Sequence, residues 1–150
     1  MNTQEVLSQL PQRAEVEQEL NNYIESKQQE LQEQVTAFQD SVAAFQQIRP
    51  SISQQQIEQE QQALSEMEAS LRQFQMMIRS QIQQKRTSLL KPLYDQMDQA
   101  MAAVAEEKSL DFILNETTNT GEMVIFYSGN ESLNVTEDVI QYIKENSDKN

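Results

Sequence analysis

The chain has 150 residues, with 24 acidic against 11 basic side chains, a formal charge of −13 at neutral pH and no histidine to move it. A nucleic acid or an anionic bilayer is a poor partner for such a surface, and the absence of Cys and His removes zinc fingers, thiol nucleophiles, disulfide frameworks and Ser–His–Asp triads together. With 37% hydrophobic residues, 2 Gly, 3 Pro and 25 Gln, the composition suits long solvated helices better than a many-layered core.

At the start of the chain, residues 1–20 lack a basic stretch followed by an apolar one, and no run of about 18 apolar residues occurs anywhere, so neither a signal peptide nor a membrane span is expected in the sequence as it stands. Thr3 is expected to cap a short helix through Val6, Leu7 and Leu10 that Pro11 ends or kinks. From Arg13 to Arg49 there is no Gly or Pro, and Val16, Leu20, Ile24, Leu31, Val35, Phe38, Val42, Phe45 and Ile48 recur at heptad steps. That helix is expected to stop at Pro50, which lacks the amide a continuing helix needs, and Ser51 or Ser53 is placed to cap the next one.

Beyond the turn Ile57, Leu64, Met67, Leu71, Phe74, Ile78, Ile82, Leu89, Leu93, Met97, Met101 and Val104 keep the same period to about Lys108. The two stripes mirror each other about Ser51: Phe45 faces Ile57, Phe38 faces Leu64, Val35 faces Met67, Leu31 faces Leu71, Ile24 faces Ile78 and Leu20 faces Ile82. Two heptad helices related this way form an antiparallel hairpin. Val42 opposite Glu60 and Gln28 opposite Phe74 break the pairing, and Pro92 is expected to bend the second helix. Residues after Leu89 have no mirror partner in the first helix, so Leu93, Met97, Met101 and Val104 must pack on something else.

After Lys108 the period becomes extended. Leu110–Leu114 and Met123–Tyr127, joined by the turn-forming Thr117–Gly121 link, read as a β-hairpin. Thr136 is expected to cap a last helix, with Val135 stapled to Ile140. A two-stranded hairpin is marginal alone in water, so strands from several copies are expected to share a sheet or barrel. The fold class is therefore mostly α with a small β module. One domain spans 1–150, with a coiled-coil arm over about 12–88, a turn at about 49–53, and a body for oligomerisation from 1–11 and 89–150.

The order of elements, the segment Leu89-Leu90-Lys91-Pro92-Leu93-Tyr94-Asp95, the stretch Val104-Ala105-Glu106-Glu107-Lys108 with Leu110–Leu114, the ending Asn134–Ile140 and the opening Asn2–Pro11 closely resemble the OmpH-like, or Skp, family of periplasmic chaperones. The resemblance implies a jellyfish-like homotrimer, with a β-barrel body and coiled-coil tentacles around a cavity. It also implies an ATP-independent holdase that keeps unfolded outer-membrane β-barrel proteins from aggregating in the periplasm. Such proteins normally begin with a secretion signal and a short apolar strand that enters the body; this sequence starts at Met1-Asn2-Thr3, where that strand should be ending. Either the start is truncated or this body has one strand fewer. The best-known members are strongly basic, so at −13 their charge-based contacts with acidic clients and lipid headgroups do not carry over.

A holdase needs many adaptable apolar contacts, for which the flexible Met side chain is suited. The client-contact candidates are Val42 and Phe74, which face polar residues in the mirror register, Ile48 and Ile52 beside the tip, and Met76 and Met77, which widen the stripe. The plainer alternative is that they only broaden the seam or touch a neighbouring arm. Candidates for the oligomer body are Leu93, Met97, Met101, Phe112, Leu114, Val124 and Phe126. No catalytic, cofactor or metal residues are assigned and no enzyme activity is expected. Glu66 with Glu68 and Asp95 with Asp98 read as solvated helix charge, and the Asn-X-Ser/Thr triplets at Asn115, Asn130 and Asn134 read as turn and cap chemistry. A coiled-coil spacer without clients is the alternative function. A prefoldin-like cytosolic holdase would place its strands between its two helices, not after both.

Overall fold

The computed structural model describes residues 1–118 and 120–147. Among the described residues four α-helices follow in order: α1 (Thr3–Gln9), α2 (Arg13–Ile48), α3 (Gln54–Glu107) and α4 (Thr136–Ser147). The chain divides into two compact units, residues 19–86 and residues 1–18 with 87–150.

Most of the helix boundaries have an identifiable chemical cause. The first cap is Asn2 rather than Thr3: its side-chain oxygen accepts from the amides of Gln4 at 3.1 Å and Glu5 at 3.2 Å. Asn2 precedes the helical backbone, where a cap must lie, while Thr3 is already inside it. Leu10 closes α1 and Pro11 follows. Of the two serines at the turn, Ser53 is the cap. Its hydroxyl accepts from the Gln56 amide at 3.3 Å, and Gln56 Oε1 accepts from the Ser53 amide at 2.9 Å, a reciprocal capping box. Pro50 sits in the 3-10 turn Arg49–Ser51, where its missing N–H leaves no gap in a helix. Pro92, in contrast, lies inside α3, which runs on past it.

α3 ends in a Schellman arrangement: Leu110 N–H donates to Ala105 O at 2.8 Å and Ser109 N–H to Glu106 O at 3.2 Å. Ser109 therefore takes a left-handed backbone with φ of 54°. An L side chain is disfavoured there and glycine is not. Ser109→Gly is expected to raise unfolding stability by about 1 kcal/mol, read as a higher urea midpoint. An unchanged or lower midpoint would contradict this reading of the cap.

In the unit formed by residues 19–86, the apolar stripe of α2 and α3 is shielded and the other faces are wet. Leu20, Ile24, Leu31, Val35 and Phe38 are half-buried, Phe45 and Ile78 are buried, and the polar positions between them are mostly exposed. One layer of side chains between two helices covers apolar groups only partly, which explains the half-burial. The antiparallel pairing brings Lys85 to Glu19 at 2.5 Å, two residues beyond the position that mirrors Glu19 about Ser51. The Tyr23 ring lies 5.8 Å from the Lys85 ammonium and 5.5 Å from that of Lys27. The hydrogen bond from Lys27 to Glu30 holds the Lys27 ammonium above its ordinary pKa.

The second unit has a helical core. Val6, Leu7 and Leu10 of the α1 segment, Leu93, Met97, Ala100 and Val104 of α3, and Val135, Val139, Ile140 and Ile143 of the α4 segment bury together. Residues 93–104 thus find their packing partners in α1 and α4. Thr136 differs from its expected role as N-cap. It is buried in the first turn of α4, where its hydroxyl accepts from the Asn2 amide at 3.0 Å and donates to Asn134 Oδ1 at 2.6 Å. Asn134 Oδ1 also accepts from the Thr136 amide at 3.1 Å, so the capping oxygen comes from two residues upstream.

The expected β-hairpin is the main difference from the sequence reading. Among the described residues no strand forms, and Leu110–Leu114 and Met123–Tyr127 are joined only near the turn, by the antiparallel bridge Thr117–Met123. The amides of Val124 and Ile125 both donate to Glu116 O, at 2.7 and 3.2 Å, and no ladder continues beyond them. Asn119, central to the expected turn, lies outside the described residues; Gly121, two positions on, has φ of 86°, as a turn glycine should. The physical cause is thin cover: Leu110 and Ile113 pack on the helical core, but Phe112, Phe126 and Tyr127 are more than 80% exposed, and two strands buried so little do not hold a ladder.

Candidate functional site

Two surfaces combine large apolar side chains with exposure. The first lies on residues 19–86, where Phe38, Met67, Leu71 and Phe74 line a groove of about 270 Å³ with Gln34 and Ser70 at its edge. Phe74 is singled out in the sequence by its mirror pairing with the polar Gln28, but Gln28 is not part of the groove wall. Phe38, Met67 and Leu71 were expected only as seam residues, and the heptad pattern carries no signal that they also line a groove. Of the other client candidates, Ile48, Met76 and Met77 are exposed, while Val42 and Ile52 are half-buried. The groove brings in Phe74 alone of the six.

The charge is unevenly distributed. Residues 19–86 hold nine acidic and six basic side chains, whereas the remaining residues hold fifteen acidic and five basic. The first surface therefore sits on a nearly balanced stretch, and most of the −13 belongs to the other unit. Long-range repulsion of acidic polypeptides is correspondingly weak around the groove.

The second surface is the extended chain of the other unit. Phe112, Leu114, Val124 and Phe126 are exposed, in contrast to Leu93 and Met97, which are buried in the chain's own helical core, and Met101, which packs against that core. Phe112, Leu114, Ile125, Tyr127 and Leu133 line a cleft of about 730 Å³, while Val124 and Phe126 are absent from its walls. That alternation is the period of extended chain, with successive side chains on opposite faces.

The carboxylate pairs have ordinary surface roles. Glu68 bonds Arg72 and Asp95 bonds Lys91, each one helical turn away, and Glu66 accepts from Gln62. Among the described residues, no group of three or more acidic side chains is gathered as a metal site would require. The three sequon asparagines serve the backbone. Asn115 Oδ1 accepts from the Thr3 amide at 3.1 Å, Asn130 Oδ1 accepts from the Ser132 amide at 3.0 Å, and Asn134 holds Thr136. No helix among the described residues is long and apolar enough to cross a membrane.

The hairpin therefore presents Ile48, Met67, Met76 and Met77 to solvent beside one apolar groove. The chain belongs to the OmpH-like outer membrane protein family, whose profile matches residues 1–143. It is a family of periplasmic chaperones and not of enzymes. No curated protein matches the chain.

Proposed function

We propose that this chain is an ATP-independent holdase of the periplasm that binds unfolded outer-membrane β-barrel proteins between the helical arms of a homotrimer. The observation that carries the reading is the exposure of Ile48, Met76 and Met77 on the same unit as the Phe74 groove. These side chains offer many weak contacts of low specificity, and the flexible thioethers repack around whatever they meet. The near balance of charge over residues 19–86 suits clients of either sign.

Assembly uses the extended segments. Val124 and Phe126 are apolar, exposed and turned away from the neighbouring cleft, so a second copy that covers them removes apolar surface from water and supplies the cover that the incomplete hairpin lacks. Completed strands then belong to the assembly rather than to the single chain. Replacing Val124 and Phe126 together by Ser is expected to lower the particle mass by light scattering while far-UV circular dichroism is retained. An unchanged mass would remove these two residues from the contact.

The function is tested by diluting a urea-unfolded outer-membrane β-barrel protein into buffer with and without the chain and following turbidity. A holdase suppresses aggregation at near-stoichiometric amounts without ATP. A coiled-coil spacer would leave the turbidity unchanged.

A further inference from the structure

Every sulfur atom in the chain is a thioether, because it has seven Met and no Cys. Met97 is 5% exposed, and Met101 packs against the same helical core. Met76, Met123 and Met77 are 64%, 57% and 44% exposed. Oxidation to the sulfoxide follows exposure, and it turns a flexible apolar side chain into a polar one. An oxidant therefore reaches the arm and the extended segment first, while the core Met97 is shielded.

Charge separates these two exposed places. From Ala69 to Tyr94, α3 carries Arg72, Arg79, Lys85, Arg86 and Lys91 and no carboxylate, and Met76 stands one helical turn from both Arg72 and Arg79. In the mirror register α2 sets Glu19, Glu25, Glu30 and Glu33 against residues 69–86. Glu19 bonds Lys85 and Glu30 bonds Lys27, whereas Arg79 and Arg86 form no ion pair among the described residues. Met123, in contrast, follows Glu122 in the unit that holds most of the negative charge. An anion meets little repulsion at Met76 and Met77 and more at Met123.

We infer that Met76 and Met77 form a sulfoxidation site, preferred by anionic peroxides, through which oxidation reversibly lowers the holding of clients. The thioether sulfur takes the terminal oxygen of the peroxide, the O–O bond breaks, and its electron pair leaves with the acid anion. Sulfur loses two electrons and the peroxide gains them. A sulfoxide needs hydrogen-bonding partners that an apolar client segment does not supply, so contact with the client is weakened. The effect on clients rests on the holdase reading; the order in which the sulfurs react does not.

The test treats the full-length chain with limiting peroxymonosulfate, an anion at neutral pH, or with hydrogen peroxide, which is neutral, and reads each methionine by peptide mass spectrometry. With peroxymonosulfate, Met76 and Met77 are expected to react about threefold or more faster than Met123 and about tenfold or more faster than Met97. The preference over Met123 should shrink with hydrogen peroxide, and with peroxymonosulfate at high salt. Once the oxidant is removed, about fivefold more of the oxidised chain should be needed to keep an unfolded β-barrel protein soluble. The two methionine sulfoxide reductases, one for each epimer, should restore the original amount. Met123→Leu should lose suppression on oxidation as the unsubstituted chain does, whereas Met76→Leu with Met77→Leu should keep its own untreated level. An equal loss in that double variant, or oxidation of Met123 ahead of Met76 and Met77 by the anion, would overturn the proposal. So would a loss accompanied by a fall in particle mass, because disassembly would then be its cause. An untreated chain that leaves turbidity unchanged would overturn the holdase reading, and the effect on clients with it, whatever the order of oxidation.

Discussion

Ile143→Ala is expected to cost about 2–5 kcal/mol of unfolding stability. The side chain is among the largest that are fully enclosed, at 2% exposure, and it shares its core with Val6, Val104 and Val139. That core is small and draws on three helices far apart in sequence, so it has little capacity to close over the cavity that truncation leaves. A loss of this size is a large fraction of the 5–15 kcal/mol that holds a typical domain together. The same truncation at Leu64 or Leu31 is expected to cost much less, because those side chains are only half-buried in the hairpin seam and truncation there leaves a solvent-filled notch. Urea denaturation followed by circular dichroism compares the three. A cost below 1 kcal/mol at Ile143 would mean that α4 does not close the core.

Replacing Ile48, Phe74, Met76 and Met77 together by Ser is expected to reduce suppression of client aggregation by about tenfold or more. Three of the four are exposed and Phe74 borders an open groove, so the substitutions remove little of the chain's own packing. Complete burial of one such side chain is worth about 1.5–3 kcal/mol, and even partial burial of four against a client sums to several. Since about 1.4 kcal/mol is a factor of ten in affinity, the loss should be plain in the amount of chain needed to keep a β-barrel protein soluble. Unchanged suppression, with particle mass intact, would reassign these residues to seam and surface.

The helices were legible because their causes are local. Heptad spacing marked both stripes, Pro50 marked the turn, and Ser51 and Ser53 marked the restart, of which the structure uses Ser53. The caps at the two ends of the chain were less legible. Asn2 and Thr3 are both good capping residues, and which one caps depends on where the backbone turns helical, a choice settled by tertiary bonds such as Asn2 N–H to Thr136 Oγ1. The same bond makes Thr136 a tertiary acceptor, which no reading of its immediate neighbours could show.

The extended segments were legible as apolar and alternating, but strand formation is not a property of those residues alone. Leu110–Leu114 and Met123–Tyr127 have the composition of strands, yet only Leu110 and Ile113 find the helical core to cover them. A ladder forms when burial repays the ordering of the chain, and in one copy Phe112, Phe126 and Tyr127 bury almost nothing. The cleft was invisible for a related reason. It depends on where the hairpin stops pairing, and its walls come from residues as far apart in sequence as Glu5 of α1, Phe112, Tyr127 and Glu137 of α4. Of the client candidates, Phe74 was found through a mismatch with Gln28 in the mirror register, whereas Met76 and Met77 stood out simply as apolar residues beside the stripe.

The account rests on copies of the chain meeting through their exposed extended segments. Multi-angle light scattering of the full chain at micromolar concentration tests it most directly. The account predicts a particle of three times 17.4 kDa; a particle of 17.4 kDa that still suppresses aggregation would contradict it.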